Sequence, residues 1–190
     1  MRVIVLGYIV RGPLAGYAWH HVQYAIGLQR LGMDVWYFED SEDWPSCYDP
    51  RRNLTDADPT YGLHFTSVLM SRVGLGERWG YFDAHQNQWH GPAGDRAAEL
   101  ARSADLIINL SGINPLRGPW AQVPNRVYVD TDPVFTQVRH LTDPWFKART
   151  DLHNQFFSFG VNLGKPGCTV PDDGSHGNPP DSRCAWTSGR

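Results

Sequence analysis

Hydrophobic and polar positions alternate along the chain in a readable order. Arg2 to Leu6 is continuously apolar and largely β-branched, the pattern of a parallel strand covered on both faces. Gly7, Gly12 and Gly16 punctuate the loop that follows. From Tyr17 to Leu31, Ala18, Val22, Ala25 and Ile26 recur at helical spacing, and Gly32 supplies a helix stop. Asp34 to Phe38 is a second strand, so the first forty residues predict a βαβ unit. Asp40 to Tyr61 is acidic, interrupted by prolines and aperiodic, which predicts a long loop. Gly62 to Val73 is then a predicted helix, with Arg78–Asp83 and Gln88–His90 as short strands or a hairpin. Gly94–Ser103 predicts a helix, Asp105–Leu110 and Arg126–Asp130 buried strands, Asp143–Asn154 a helix and Gln155–Phe159 a last strand. The expected fold is α/β, a Rossmann-like and mainly parallel sheet with helices on both faces. After Gly164 the periodicity stops.

Composition narrows the class. The chain has 190 residues, 41% hydrophobic and 19% charged, which suits one globular domain with its own core. The net charge of −3 and the lack of a basic block argue against a nucleic-acid partner. Val3–Val10 is too short for a membrane helix, which needs about 20 apolar residues, and no cleavage-site pattern follows it. No integral membrane segment is expected. Cys47, Cys168 and Cys184 form no C-x-x-C pair, so a reducing cytoplasm is expected. Fifteen arginines against two lysines, with eight tryptophans, imply GC-rich codons and a bacterial source.

Polar residues gather at the predicted carboxyl ends of the strands, where ligands bind in open α/β sheets. The loop Gly7 to Gly16 is neither G-x-G-x-x-G nor a phosphate loop, since its glycines are five and four apart and no G-K-[ST] follows. It still delivers the chain to a helix N-terminus, which suits a phosphate or carboxylate, or its glycines serve the turns alone. His20 stands just beyond it, either as a proton acceptor walled by Trp19 or as a packing histidine. Asp130-Thr-Asp132-Pro133 follows a strand. It reads as a D-x-D metal site, as a helix N-cap with proline next, or as a source of a carboxylate to orient His20. Ser111-Gly-Ile-Asn114-Pro offers hydrogen-bonding groups or a turn.

The βαβ opening, the glycine loop, His20 and the segment Gly27 to Glu39 together resemble the N-terminal half of a GT-B type glycosyltransferase. The likeness continues through Asp130–His140 and Phe156–Gly174. The resemblance implies transfer of a sugar from a nucleotide-sugar donor to a hydroxyl acceptor, with no metal and no cofactor. This half would hold the small-molecule or glycan acceptor, and a second domain the donor. It implies His20 as the catalytic base, Asp130 and Asp132 orienting it or touching substrate, and Arg11, Gly12, Gly16, Trp19, Ser111 and Asn114 as substrate-binding residues. The histidine usual in the Gly-His-x-Val signature is Met33 here. Two other classes stay open, a non-catalytic nucleotide- or sugar-binding module and a metal-dependent enzyme using Asp130 and Asp132.

Residues 1–164 are therefore expected to form the domain, and 165–174 the start of an interdomain linker. Ser175 to Arg190 has no periodicity. Shifted by one base, GC-rich codons for it yield a Trp-containing linker and a new strand, so the expectation is an out-of-frame tail on half of a longer enzyme. The other reading is a naturally short chain with a flexible tail.

Overall fold

The structure is a computed structural model and describes residues 1–174; the predicted out-of-frame tail lies outside the described residues. The elements run β1 (Arg2–Leu6), α1 (Ala15–Arg30), β2 (Asp34–Asp40), β3 (Cys47–Asp49), β4 (Leu54–Asp56), α2 (Thr60–Arg72), β5 (Trp79–Asp83) and β6 (Gln88–His90). They continue with α3 (Ala97–Arg102), β7 (Leu106–Leu110), β8 (Asn125–Asp130), α4 (Phe135–Thr142), α5 (Pro144–Thr150) and β9 (Gln155–Ser158). Seven strands form one sheet in the order β6-β5-β2-β1-β7-β8-β9, parallel except for β6 at one edge. β3 and β4 make a separate small hairpin.

Strand alternation divides the core. On β1, Val3 and Val5 face the layer built by Ala18, Val22 and Ala25 of α1 and Met70 of α2. Ile4 and Leu6 face the opposite layer, with Ala97 and Leu100 of α3 and Trp120 from a short 3₁₀ turn. Both faces of the central strands are therefore covered, as their unbroken apolar runs predict. The α/β fold with helices on both faces of a mainly parallel sheet is present. None of the described helices is long and apolar enough to cross a membrane.

Differences from the predicted elements have local causes. α1 begins at Ala15, two residues early, because the loop ends in extended backbone at Leu14. It stops in a paired turn: Gly32 at φ +79° donates to the Gln29 carbonyl at 2.9 Å, and Met33 donates to the Leu28 carbonyl at 3.2 Å. The acidic loop after β2 folds back as the β3–β4 hairpin. α4 was not predicted from the pattern: Phe135, Val138 and Leu141 share one face, but that face is exposed and the buried residues are Thr136, Gln137 and His140. Helix formation stops at Thr150, where the next residues turn so that Asn154 can pair with Arg126. α2 approaches the first loop so closely that a Cβ on Gly62 would stand 1.8 Å from the Val10 carbonyl oxygen. Within the predicted linker, Asp173 is buried against α4 and pairs with His140 Nδ1 at 2.5 Å.

Candidate functional site

The carboxyl edge of the sheet collects the polar residues singled out from the sequence, and the structure sorts them into two groups. One group fastens the fold. The parallel register Leu6↔Phe38 sets Glu39 beside the loop that leaves β1. Glu39 Oε2 accepts the backbone N–H groups of Ile9 at 2.6 Å and Val10 at 2.8 Å. Oε1 accepts the N–H of Arg11 at 2.8 Å and its Nε at 3.2 Å. The Tyr37 hydroxyl donates to the same carboxylate at 3.3 Å. The amides of Ile9, Val10 and Arg11 in the glycine loop are thus capped by the chain's own carboxylate, whereas the α1 N-terminus, read as suited to a phosphate or carboxylate, begins further on at Ala15. Only the pairing of β2 with β1 brings Glu39 there, and a reading of the loop alone cannot register it.

Arg11 and Asn114 belong to this group as well. Arg11 is buried, with its guanidinium between Glu39 and Glu42 and over the Tyr8 ring at 4.5 Å. Burial alone would lower its pKa, and Glu39 and Glu42 more than offset that, so it stays charged. Asn114 accepts from the Asp40 N–H and donates to the Gly7 carbonyl, both at 2.9 Å. These two predicted substrate ligands therefore join the ends of β1, β2 and β7 and do not line the open cavity.

Asp130 is a second such hub. Its Oδ1 accepts from the Asp132 N–H at 3.0 Å and the Thr136 hydroxyl at 2.7 Å. Its Oδ2 accepts from Gln137 Nε2 at 3.0 Å and the Ser158 hydroxyl at 2.7 Å. Gln137 in turn accepts the Val134 N–H at 2.6 Å, which holds Val134 at φ +80°, a position that β-branched residues rarely adopt. Asp130 joins the end of β8 to α4 and β9. Both oxygens are occupied, so it neither orients His20 nor pairs with Asp132 as a metal site. The predicted N-cap is also displaced, since α4 starts after Val134 and not after Asp132. Among the described residues, no group of three His, Cys, Asp or Glu is placed to hold a metal ion.

The second group surrounds a cavity of about 760 Å³ where the loops after β1, β7 and β8 meet the start of α1. Gly16, His20, Ser111 and Asp132 line it, joined by Tyr8, Tyr17, His21 and Thr131. Ser111 sits at φ +58° and its hydroxyl meets that of Thr131 at 2.5 Å. Trp19 turns outward, 59% exposed, and is not among the lining residues. Gly12 acts at one remove: a Cβ there would stand 2.4 Å from the Tyr8 ring, so its absence lets this cavity wall lie along the loop. Burial raises the Tyr8 phenol, which therefore remains a hydrogen-bond donor at neutral pH.

The two neighbouring histidines differ. His21 is buried, and its Nδ1–H donates to the Tyr17 carbonyl at 2.8 Å, which fixes the tautomer. Its Nε2 is sealed from solvent without a protein partner, and burial pulls its pKa down to about 4. His20 is half-buried on the cavity wall, edge-on to His21 at 5.0 Å, with Tyr24 and Phe159 rings at 6.2 and 6.3 Å. His20 is thus the imidazole a ligand can reach, and His21 is a neutral support behind it. Tyr8, Tyr17, His21 and Thr131 were missed as site residues. The two tyrosines flank the glycine loop, and aromatic residues at both ends of such a loop were the available signal.

Comparison with protein-family models, with curated proteins and with solved structures gave no match to this chain.

Proposed function

We propose that the chain is the acceptor-side domain of a sugar transferase and that the cavity receives a hydroxyl-bearing, carbohydrate-like acceptor. The observation that carries this reading is the composition of the cavity wall. Tyr8 and Tyr17 offer aromatic faces for the C–H face of a sugar ring, and Ser111, Thr131 and Asp132 offer hydrogen-bond partners for its hydroxyls. His20 stands among them as the accessible base, placed to take the proton of an attacking hydroxyl; such proton transfer typically contributes about 10²–10⁴ in rate. His21 is held neutral behind it and adds no charge to the cavity wall.

Glu39 occupies the Ile9–Arg11 amides of the glycine loop, and the resemblance assigns the nucleotide-sugar to a second domain. The chain alone is accordingly expected to bind acceptor and not to turn over a nucleotide-sugar. The test is NMR of the imidazole C–H signals during titration with methyl glycosides. The His20 signals are expected to shift and those of buried His153 to stay still. An unmoved His20, or turnover of a nucleotide-sugar by the chain alone, would overturn the reading. A non-catalytic binding module would bind the glycoside with the same affinity after His20→Ala and show no role for His20 once a donor-side domain is supplied.

A further inference from the structure

A second concavity opens at the same edge of the sheet, beyond the segment that leads from Ser111 to Arg117. It measures about 200 Å³ and lies between the loop after β2, the segment Pro115–Arg117 and α5. Trp44 and Trp145 form a V-shaped wall, with ring centroids 5.9 Å apart and planes at 55°. They are 45% and 50% exposed, although neither is needed in the core. The charges around them are balanced. Arg117 grips Asp40 through two bonds at 2.9 and 2.5 Å and reaches Asp43 at 2.6 Å. Arg149 donates to Glu42 at 2.7 Å and lies 4.6 Å from the Trp145 ring centre. Glu42 is itself buried, and its backbone sits at φ +61°, held by the Asp40 carboxylate at 2.7 Å.

We infer that this pocket binds one neutral sugar ring, its C–H face against Trp44 and Trp145 and its hydroxyls on Glu42, Asp43 and Arg117. The volume admits a ring and little more. Exposed tryptophans in a concave site offer an apolar face that water solvates poorly. Carboxylates and guanidiniums have more donor and acceptor positions than their mutual pairs consume, which suits a polyol. A quaternary ammonium is disfavoured, since Arg149 already lies over Trp145 and two guanidiniums stand in the wall. An anion faces two carboxylates. This inference is independent of the role proposed for the first cavity.

The test is ligand-observed saturation-transfer NMR on the full chain with methyl glycosides of glucose, galactose and mannose, and with choline and adenosine as separate probes. The expected result is transfer to the ring protons of at least one glycoside. Read site by site at the assigned indole N–H signals of Trp44 and Trp145, the glycoside shift should persist in His20→Ala, and the affinity read at the remaining indole should weaken about tenfold in each of Trp44→Ala and Trp145→Ala. Trp145→Phe should restore part of it, which separates stacking from a folding defect. Unmoved Trp44 and Trp145 indole signals, unchanged affinity at the remaining indole in both tryptophan variants, loss of their shift in His20→Ala, transfer only to choline or adenosine, or transfer to no probe would each overturn the inference.

Discussion

Glu39 and Asp130 on one side, and His20 and Asp132 on the other, all stand at the carboxyl edge of one sheet, yet they do opposite things. The first two are buried carboxylates whose oxygens are each taken by donors of the chain. The other two face an open cavity. A polar residue after a strand is therefore no indicator of function until its partners are known. The saturated pair fixes where the loops go, and the open pair uses the space those loops leave.

The sharpest way to break this contrast is Glu39→Gln. It leaves buried Arg11 with only the more distant Glu42 carboxylate and sets an amide N–H against backbone donors. A loss of about 3–5 kcal/mol is expected in denaturant unfolding; a small loss would show that the first loop is held by something other than Glu39. Of similar size is the summed pH response of the two buried rings. His21 and His153 are both drawn down to about 4 by burial, against about 6.5 when unfolded. Between these values the unfolded chain binds more protons, so stability is full above about pH 6.5 and falls as pH drops toward 4, by about 2–3 kcal/mol per ring. Unfolding curves at pH 7.5 and 5 measure it, and equal midpoints would mean that these rings are solvated.

Asp130→Asn comes third. The amide can keep the bonds on one side and must oppose Gln137 Nε2 on the other, for an expected loss of about 2 kcal/mol. Loosening of α4 in hydrogen exchange should accompany it; an unaltered α4 would remove Asp130 from its place as hub. The smallest effect sharpens the other half of the comparison. His20→Ala should change stability by no more than about 0.5 kcal/mol, because the ring is half-exposed and its contacts are edge-on aromatic ones. A large loss would move His20 into the structural group.

The fold was legible because its signals are local. Val3–Leu6 and Val35–Phe38 are apolar runs that only a doubly covered strand needs, Ile107–Leu110 is one but for Asn109, and Gly32 ends a helix whose period is visible. α4 is only eight residues long and turns a polar face inward, Thr136, Gln137 and His140, which hydrogen bonds to Asp130 and Asp173 hold in place, so it lacks the apolar core face that marks the other helices. At the candidate site, Gly16, His20, Ser111 and Asp132 were found from position alone, since chain direction in a parallel sheet puts every post-strand loop at one end.

What the sequence determined by itself is the α/β architecture and the end of the sheet where the post-strand loops and their polar residues gather, because both follow from hydrophobic period and chain direction. What only the tertiary structure decided is which polar groups there are free. That depends on strand register, which brings Glu39 against the Ile9–Arg11 amides, and on the return of β9, which brings Ser158 to Asp130. Hydrogen-bond capacity is used up in space and not along the chain, so the same residue types serve as clamps in one place and as an open site in another.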